Sequence, residues 1–342
     1  MRGCHRDRSS SFVRFNLIGW GAVLPGILAL SLVMAPPAGV AQTSAEKLRI
    51  GILGVTPHNP ANQEMFKQGL GQLGYTEGSQ VVLVHQHADG VPARLPGRAA
   101  ELVRIKSHVI FARGTAALAA AVQATTTIPI VAVDLESDPV ALGYAKTLAR
   151  PGGNVTGVFL DLPELSAKQL QLVREIFPGL SRVALVGDTI GNAAQFRATE
   201  RAARTLGVQV QTVEGRTTAD LEAALVAALR GGAGAVLIFS SPVVFEQRAR
   251  IATLAREKRL PTVSLFTEFA EAGGLLTYGP SLRESFLRCG VYVGKILGGA
   301  KAAELPIERP QKFELVINQK TAKALGLTIS RTMLAQADRV IE

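Results

Sequence analysis

From residue 48 onward the chain alternates short runs of β-branched residues with longer, alanine-rich stretches of helical period, and it does so twice. Such a rhythm builds a parallel sheet covered on both faces, because parallel neighbours need a crossover about the length of a helix. The first set predicts strands at 48–55, 81–87, 108–111, 128–134 and 155–160, with helices over 61–73, 93–105, 116–124 and 140–149. Gly74 and the run Pro151-Gly152-Gly153 supply helix stops. The second predicts strands at 182–186, 208–213, 235–239 and 262–266, with helices over 164–177, 193–206, 219–229 and 243–258. One open sheet rarely holds so many strands, so two doubly wound α/β lobes explain the length better. A hydrophobic content of 47% against 19% charged is enough to fill both cores.

The tail adds a strand at 275–278, a long helix over 281–297, a strand at 313–317 and a short helix over 321–325. These are too few for a third lobe. The economical placement sends the long helix back to the first lobe and the strand at 313–317 on to the second. The expected division is therefore 42–160 plus 277–306 against 161–276 plus 307–342. The chain would cross between these Rossmann-like lobes near 157–162, 273–276 and 306–313. Two lobes joined by three short crossings form a hinged pair whose strand ends face one another across a cleft, where small ligands bind.

The first forty residues are of another kind. Arg2, Arg6, Arg8 and Arg14 precede an apolar run over 17–34, then Pro36-Pro37 and the small residues Gly39-Val40-Ala41. Basic, apolar and small-residue regions in that order predict a secretory signal peptide, residues 1–41, cut after Ala41. An uncleaved anchor is the alternative, weakened by Gly19, Gly21, Pro25 and Gly26 within the run. Removal of four Arg and one Asp leaves +7 of the formal +10. The remaining positives are scattered with few aromatics among them, so nucleic acid is not expected as a partner. Of two cysteines only Cys289 lies beyond the signal, so an internal disulfide is excluded and a full apolar core must hold the exported chain together.

Catalytic signatures are missing. Gly51-Ile52-Leu53-Gly54 after the first strand lacks the G-x-G-x-x-G spacing, and there is no Walker loop. No Ser, His and acid stand in an elbow context. His85 and His87 share one strand face and, with Asp89, have metal-ligand chemistry, but two surface-facing strand histidines are the simpler reading. No enzyme, no metal and no cofactor is expected.

Polar and small residues do gather just after strands, at the ends where a cleft would lie. They are Thr56 to Asn59, Arg113-Gly114-Thr115, Asp134 and Ser137-Asp138-Pro139 in the first half, then Asp161, Gly187-Asp188-Thr189 with Asn192, Ser240-Ser241-Pro242 and Thr267-Glu268 in the second. The corner at 113–115 combines a cation, a glycine that admits close approach and an N-cap threonine above exposed helical amides, which is the chemistry of a small-anion site. Each corner alone is equally a turn or a helix cap; their shared edge is what suggests a site.

Further motifs carry a resemblance. They are Gly-Tyr-Thr-Glu-Gly at 74–78, Ile-Pro-Ile-Val at 128–131, Asp138-Pro139-Val140, Leu-Ala-Arg-Pro-Gly-Gly-Asn-Val-Thr-Gly at 148–157, Ala-Gly-Gly-Leu-Leu-Thr-Tyr-Gly at 272–279, Lys-Phe-Glu-Leu-Val-Ile-Asn at 312–318 and Thr-Ala-Lys-Ala-Leu-Gly-Leu at 321–327. In this order they resemble the ABC-transporter substrate-binding proteins that include tryptophan- and tyrosine-binding lipoproteins, over about 48–342. The resemblance implies the type I periplasmic-binding-protein fold, a periplasmic receptor closing on a small molecule, and a permease as its partner. Family ligands include aromatic amino acids, whose carboxylate is held by first-lobe loops like that at Gly114-Thr115. Arg113 stands where a small residue is usual, and the lipobox cysteine of anchored members is absent.

The expectation is thus a monomeric periplasmic solute receptor for a small carboxylate-bearing ligand, an amino acid or aromatic acid. Arg113 would fork onto the carboxylate above the Gly114 and Thr115 amides. Asp138 or Asp188 would take an ammonium group, Asp161 is a further ligand-binding candidate, Ser240 and Ser241 would donate from the facing lobe, and Phe159, Phe266 or Tyr278 would flank an apolar body. An exported sensor signalling to a membrane protein is the alternative. A transcription regulator of similar shape would need an N-terminal helix-turn-helix where this chain has its export signal.

Overall fold

A computed structural model describes residues 47–342 apart from His58, 135–137, Asp161 and Ile190. The expected signal peptide and the candidate Asp161 lie outside the described residues.

The first half forms β1 (Leu48–Gly54), α1 (Pro60–Gly71), β2 (Val81–His87), α2 (Leu95–Arg104), β3 (Val109–Arg113), α3 (Thr115–Ala124), β4 (Ile130–Asp134) and β5 (Val155–Phe159). The five strands are parallel in the order β2-β1-β3-β4-β5. Val109 through Ala112 are buried, as expected of a central strand covered on both faces. One face packs around Ile50, Phe66, Phe111 and Tyr292, the other around Leu53, Leu102, Ile110 and Leu118. The order reverses direction at β1, which opens a crevice between the carboxyl ends of β1 and β3.

The second half forms α4 (Leu162–Ile176), β6 (Arg182–Gly187), α5 (Ala193–Leu206), β7 (Gln209–Glu214), α6 (Thr218–Arg230), β8 (Ala235–Ile238), α7 (Pro242–Glu257), β9 (Thr262–Ser264), α8 (Thr267–Glu271) and β10 (Leu276–Pro280). After α9 (Leu282–Leu297) come β11 (Phe313–Asn318), α10 (Gln319–Ala324), α11 (Arg331–Gln336) and β12 (Arg339–Ile341). The second sheet runs β12-β11-β10-β9-β8-β6-β7, with β10 and β11 antiparallel. Its reversal falls at β6, beside the end of β8. The architecture is two doubly wound α/β lobes, as the alternation predicts.

Three expectations need correction. The stretch 140–149 is not a helix: Pro139 O takes both the Tyr144 and Ala145 amides, Gly143 sits at φ 74, and Val140 and Leu142 are exposed, so no apolar face is buried to support helical turns. The strand expected over 262–266 stops at Ser264, and Phe266 becomes the N-cap of the short helix α8. β10 pairs with β9 and β11, which places 277–280 in the second sheet and moves the middle crossing from 273–276 to Ser281. The terminal pair α11 and β12 went unread, because six- and three-residue elements carry too little period to register.

The long helix α9 does return to the first lobe, where it packs on α1 and behind β3, β4 and β5. Two glycines let the helices approach backbone to backbone: a Cβ on Gly69 would fall on Leu287 O, and one on Gly290 on Phe66 O. After α9 the chain runs beside β5, exchanging hydrogen bonds through Glu308 with Gly157 and Phe159 (both 2.9 Å), before entering the second sheet. Arg288 of α9 clasps Glu308 with two bonds of 2.5 Å, which holds the Glu308 carboxyl below its ordinary range. The Tyr292 hydroxyl donates to Pro306 O at 2.6 Å.

Candidate ligand-binding site

The two sheet reversals face each other, and between them lies a cavity with walls from both halves of the chain. From the first half come Val55, Thr56, Pro57 and Asn59 after β1, Asn62 on α1, Arg113 and Gly114 ending β3, and Val133 on β4. The second half supplies Ser240 to Pro242 after β8, Phe245 and Glu246 in the opening turns of α7, and Phe266. Leu282 and Phe286 of α9 close it.

The walls follow from local rules. Helices α1, α3 and α7 are among those that begin at the cavity. Asn59 caps α1 by accepting from the Ala61 and Asn62 amides (3.0 and 3.3 Å), and Ser241 caps α7 by accepting from Val244 N at 3.1 Å. α3 differs: its N-cap is Gly114, at φ 87, with no side chain to occupy the first-turn amides. That positive φ also brings the backbone close to the facing lobe, where an added Cβ would stand 3.6 Å from Pro242. Phe286 is fixed from behind by an edge-on contact with Phe111 (5.5 Å between centroids), itself stacked on Phe66 at 4.5 Å. Phe245 and Phe266 meet edge to face at 6.2 Å.

Arg113 is the electrostatic centre of this apolar chamber. Its guanidinium lies against Gly54, where any side chain would collide with it, and it donates from Nη2 to Thr56 O at 2.6 Å. Nε is buried without a partner. Burial pushes its pKa down to about 10, opposed by the Glu246 carboxylate of the facing lobe, so the group stays charged at neutral pH.

The structure brings Arg113, Gly114, Ser240, Ser241 and Phe266 together on one cavity. The others lie elsewhere. The Thr115 hydroxyl donates to the fully buried Asp134 at 2.7 Å, bracing the corner from below. Asp138 accepts from the Val140 and Ala141 amides in an exposed turn. Asp188 takes the Gly191 amide at 3.0 Å and Arg216 at 3.3 Å. Phe159 is core, and Tyr278 stacks on Phe313 (6.1 Å) beside Leu160 and Leu165, away from the cavity. His85 lies 3.4 Å from Gln63, and His87 pairs with Asp89 at 2.8 Å. Among the described residues no group of three His, Cys, Asp or Glu is placed to hold a metal. Cys289 is buried, its thiol pushed up by burial and donating to Ala132 O at 3.5 Å.

Asn62, Phe245, Glu246, Leu282 and Phe286 escaped the sequence reading. A signal existed for three of them: Asn62, Phe245 and Glu246 fall in the opening turns of helices that follow strand ends, where helical period turns them back toward the same edge. Nothing local marks Leu282 and Phe286, which reach the cavity because α9 returns from the far end of the chain.

The family model for ABC transporter substrate binding proteins matches residues 52–341. The chain belongs to this family. Its members bind ligands without transforming them, and the two-lobed architecture is that of type I periplasmic binding proteins. A tyrosine-binding protein of Clostridioides difficile (strain R20291) is 23% identical over 290 residues, which cover 83% of this chain and 82% of the relative. Among solved structures, a conserved domain protein of Vibrio cholerae superposes with a TM-score of 0.78 at 25% identity, covering 86% of this chain and all of that one. An ABC domain from Streptococcus pneumonia, solved in complex with L-Trp, gives 0.77 at 23% identity with the same coverage. Among the described residues no helix of this substrate-binding protein is long and apolar enough to cross a membrane.

Proposed function

We propose that this chain is the exported receptor of an ABC importer, which takes a small carboxylate-bearing ligand with an apolar or aromatic body between its lobes and hands it to a membrane permease. The observation that carries this reading is Arg113: a charged guanidinium sunk in a largely apolar cavity, with one protein hydrogen bond and a buried Nε left to offer. A carboxylate is the natural partner, since it accepts two parallel bonds from the guanidinium fork and offsets the cost of burying the charge. Glu246 is the cavity's matching anion, suited to an α-ammonium group if the ligand is an amino acid. Asp138 and Asp188 are spent on local turns, so that role passes to Glu246. The tyrosine-binding relative, the related structure in complex with L-Trp, and a fold neighbour from R. palustris in complex with benzoate (14% identity, TM-score 0.54) favour the same chemical class.

Arg113→Ala is expected to weaken binding of such a ligand by tens to thousands of fold, on the order of 2 to 4 kcal/mol for a desolvated charge partner. Calorimetry with L-tyrosine, L-tryptophan, benzoate and phenylacetate tests it; an unchanged dissociation constant in a folded variant would overturn the assignment. The lobes would move about crossings at Leu160, Ser281 and the segment 309–312. Residues 1–41 would direct export to the periplasm, and N-terminal sequencing of the exported protein should begin at Gln42; a retained N-terminus would make the segment an anchor.

A further inference from the structure

Arg113 Nε is not alone on the cavity wall in lacking a partner. Among the described residues, two buried side-chain polar atoms on this cavity make no hydrogen bond: Arg113 Nε, a donor, and Asn62 Oδ1, an acceptor. Asn62 is the third residue of α1, only 4% exposed. It is not spent on capping, because Asn59 already accepts the two first-turn amides, that of Asn62 included. The cavity it lines is largely apolar, with Val133, Leu282 and Phe286 of the first lobe and Phe245 and Phe266 of the second among its walls. An amide oxygen in such a setting is costly unless something donates to it, and buried oxygens of this kind are nearly always met.

Building on the proposed carboxylate reading, we propose that Asn62 is a specificity-determining residue, accepting a hydrogen bond from an N–H or O–H on the apolar body of the ligand. Arg113 needs an acceptor and Asn62 a donor, so one molecule with a carboxylate and a donor-bearing ring answers both. Aromatic acids without such a donor would fill the same volume yet leave the Asn62 oxygen unmet. The cavity then discriminates by polarity within a single size class, which apolar walls alone do poorly.

The test is calorimetric binding of matched pairs differing only in the donor: L-tyrosine with L-phenylalanine, L-tryptophan with 1-methyl-L-tryptophan, and 4-hydroxyphenylacetate with phenylacetate. In the wild-type protein the donor-bearing member of at least one pair should bind roughly 10- to 100-fold more tightly. In Asn62→Leu that preference should fall below about threefold, while binding of the donor-free member holds or improves. Asn62→Ala, checked by thermal unfolding alongside it, guards against the leucine blocking the cavity and should show the same collapse. Equal affinities within every pair for the wild-type protein, or an undiminished preference in both folded variants, would overturn the inference. If Arg113→Ala weakens all of these acids while the pairs stay equal, the carboxylate reading stands and the role of Asn62 falls. If none of the acids binds the wild-type protein, both fall together.

Discussion

Single residues in this molecule are decided by what their burial demands. Arg113 and Asn62 sit in an apolar chamber with capacity to spare, whereas Asp138 and Asp188, equally polar in the sequence, are consumed by backbone amides within three residues of themselves. Glu268 shows the opposite case, a charge buried at a cost. Its side chain is 12% exposed, and burial raises its pKa above the usual carboxylate value despite Arg283 at 3.6 Å. A carboxyl with a raised folded-state pKa favours the folded protein most when protonated, below the unfolded value of about 4.3, and loses that advantage as pH rises through the folded pKa. Glu268→Gln should therefore raise the melting temperature at pH 7, and the gain should vanish as pH falls through the carboxylate range. A melting temperature lowered at pH 7 would mean that the Arg283 pair outweighs the burial.

At the scale of elements, α9 is the hinge's structural member. It begins after a single residue, Ser281, beyond the second sheet's β10, packs its length against the first lobe, and clasps through Arg288 the segment at Glu308 that leads back. Its close seat on α1 depends on Gly69 and Gly290, each facing the other helix's backbone where no side chain fits. Gly290→Ala must push the helices apart or bend them, a cost of about 1 to 3 kcal/mol for overpacking a tight contact. Urea denaturation should show the midpoint lowered accordingly, and an unchanged midpoint would mean the helices separate freely. The sequence announced α9 by its length and period, but its close partner could not be read there, because glycines mark a close approach without naming what approaches.

The whole molecule makes the candidate site from two incomplete halves. Neither sheet edge encloses a ligand alone: the first brings Arg113, Gly114 and Asn62, the second Ser240, Ser241 and Phe245. A ligand held by both should couple them. At about 100 times its dissociation constant it should stabilise the protein by about 2.7 kcal/mol. Amide exchange should then slow at both 113–118 and 240–246 while the outer helix α5 is unaffected; protection confined to one segment would place the ligand on one lobe only.

By itself the sequence determined the two-lobed architecture, because strand and helix periods are local and a parallel sheet follows from their alternation. It also marked the corners at Arg113-Gly114 and Ser240-Ser241, since strand ends and helix caps are written in adjacent residues. Tertiary structure alone decided which corners meet. The order of strands in each sheet put the ends of β1, β3 and β8 on the cavity and left Asp138, Asp188 and Tyr278 outside. The reason is physical: strand order is set by pairing between residues far apart in the chain, and a polar side chain beside a turn is claimed first by the nearest backbone amide.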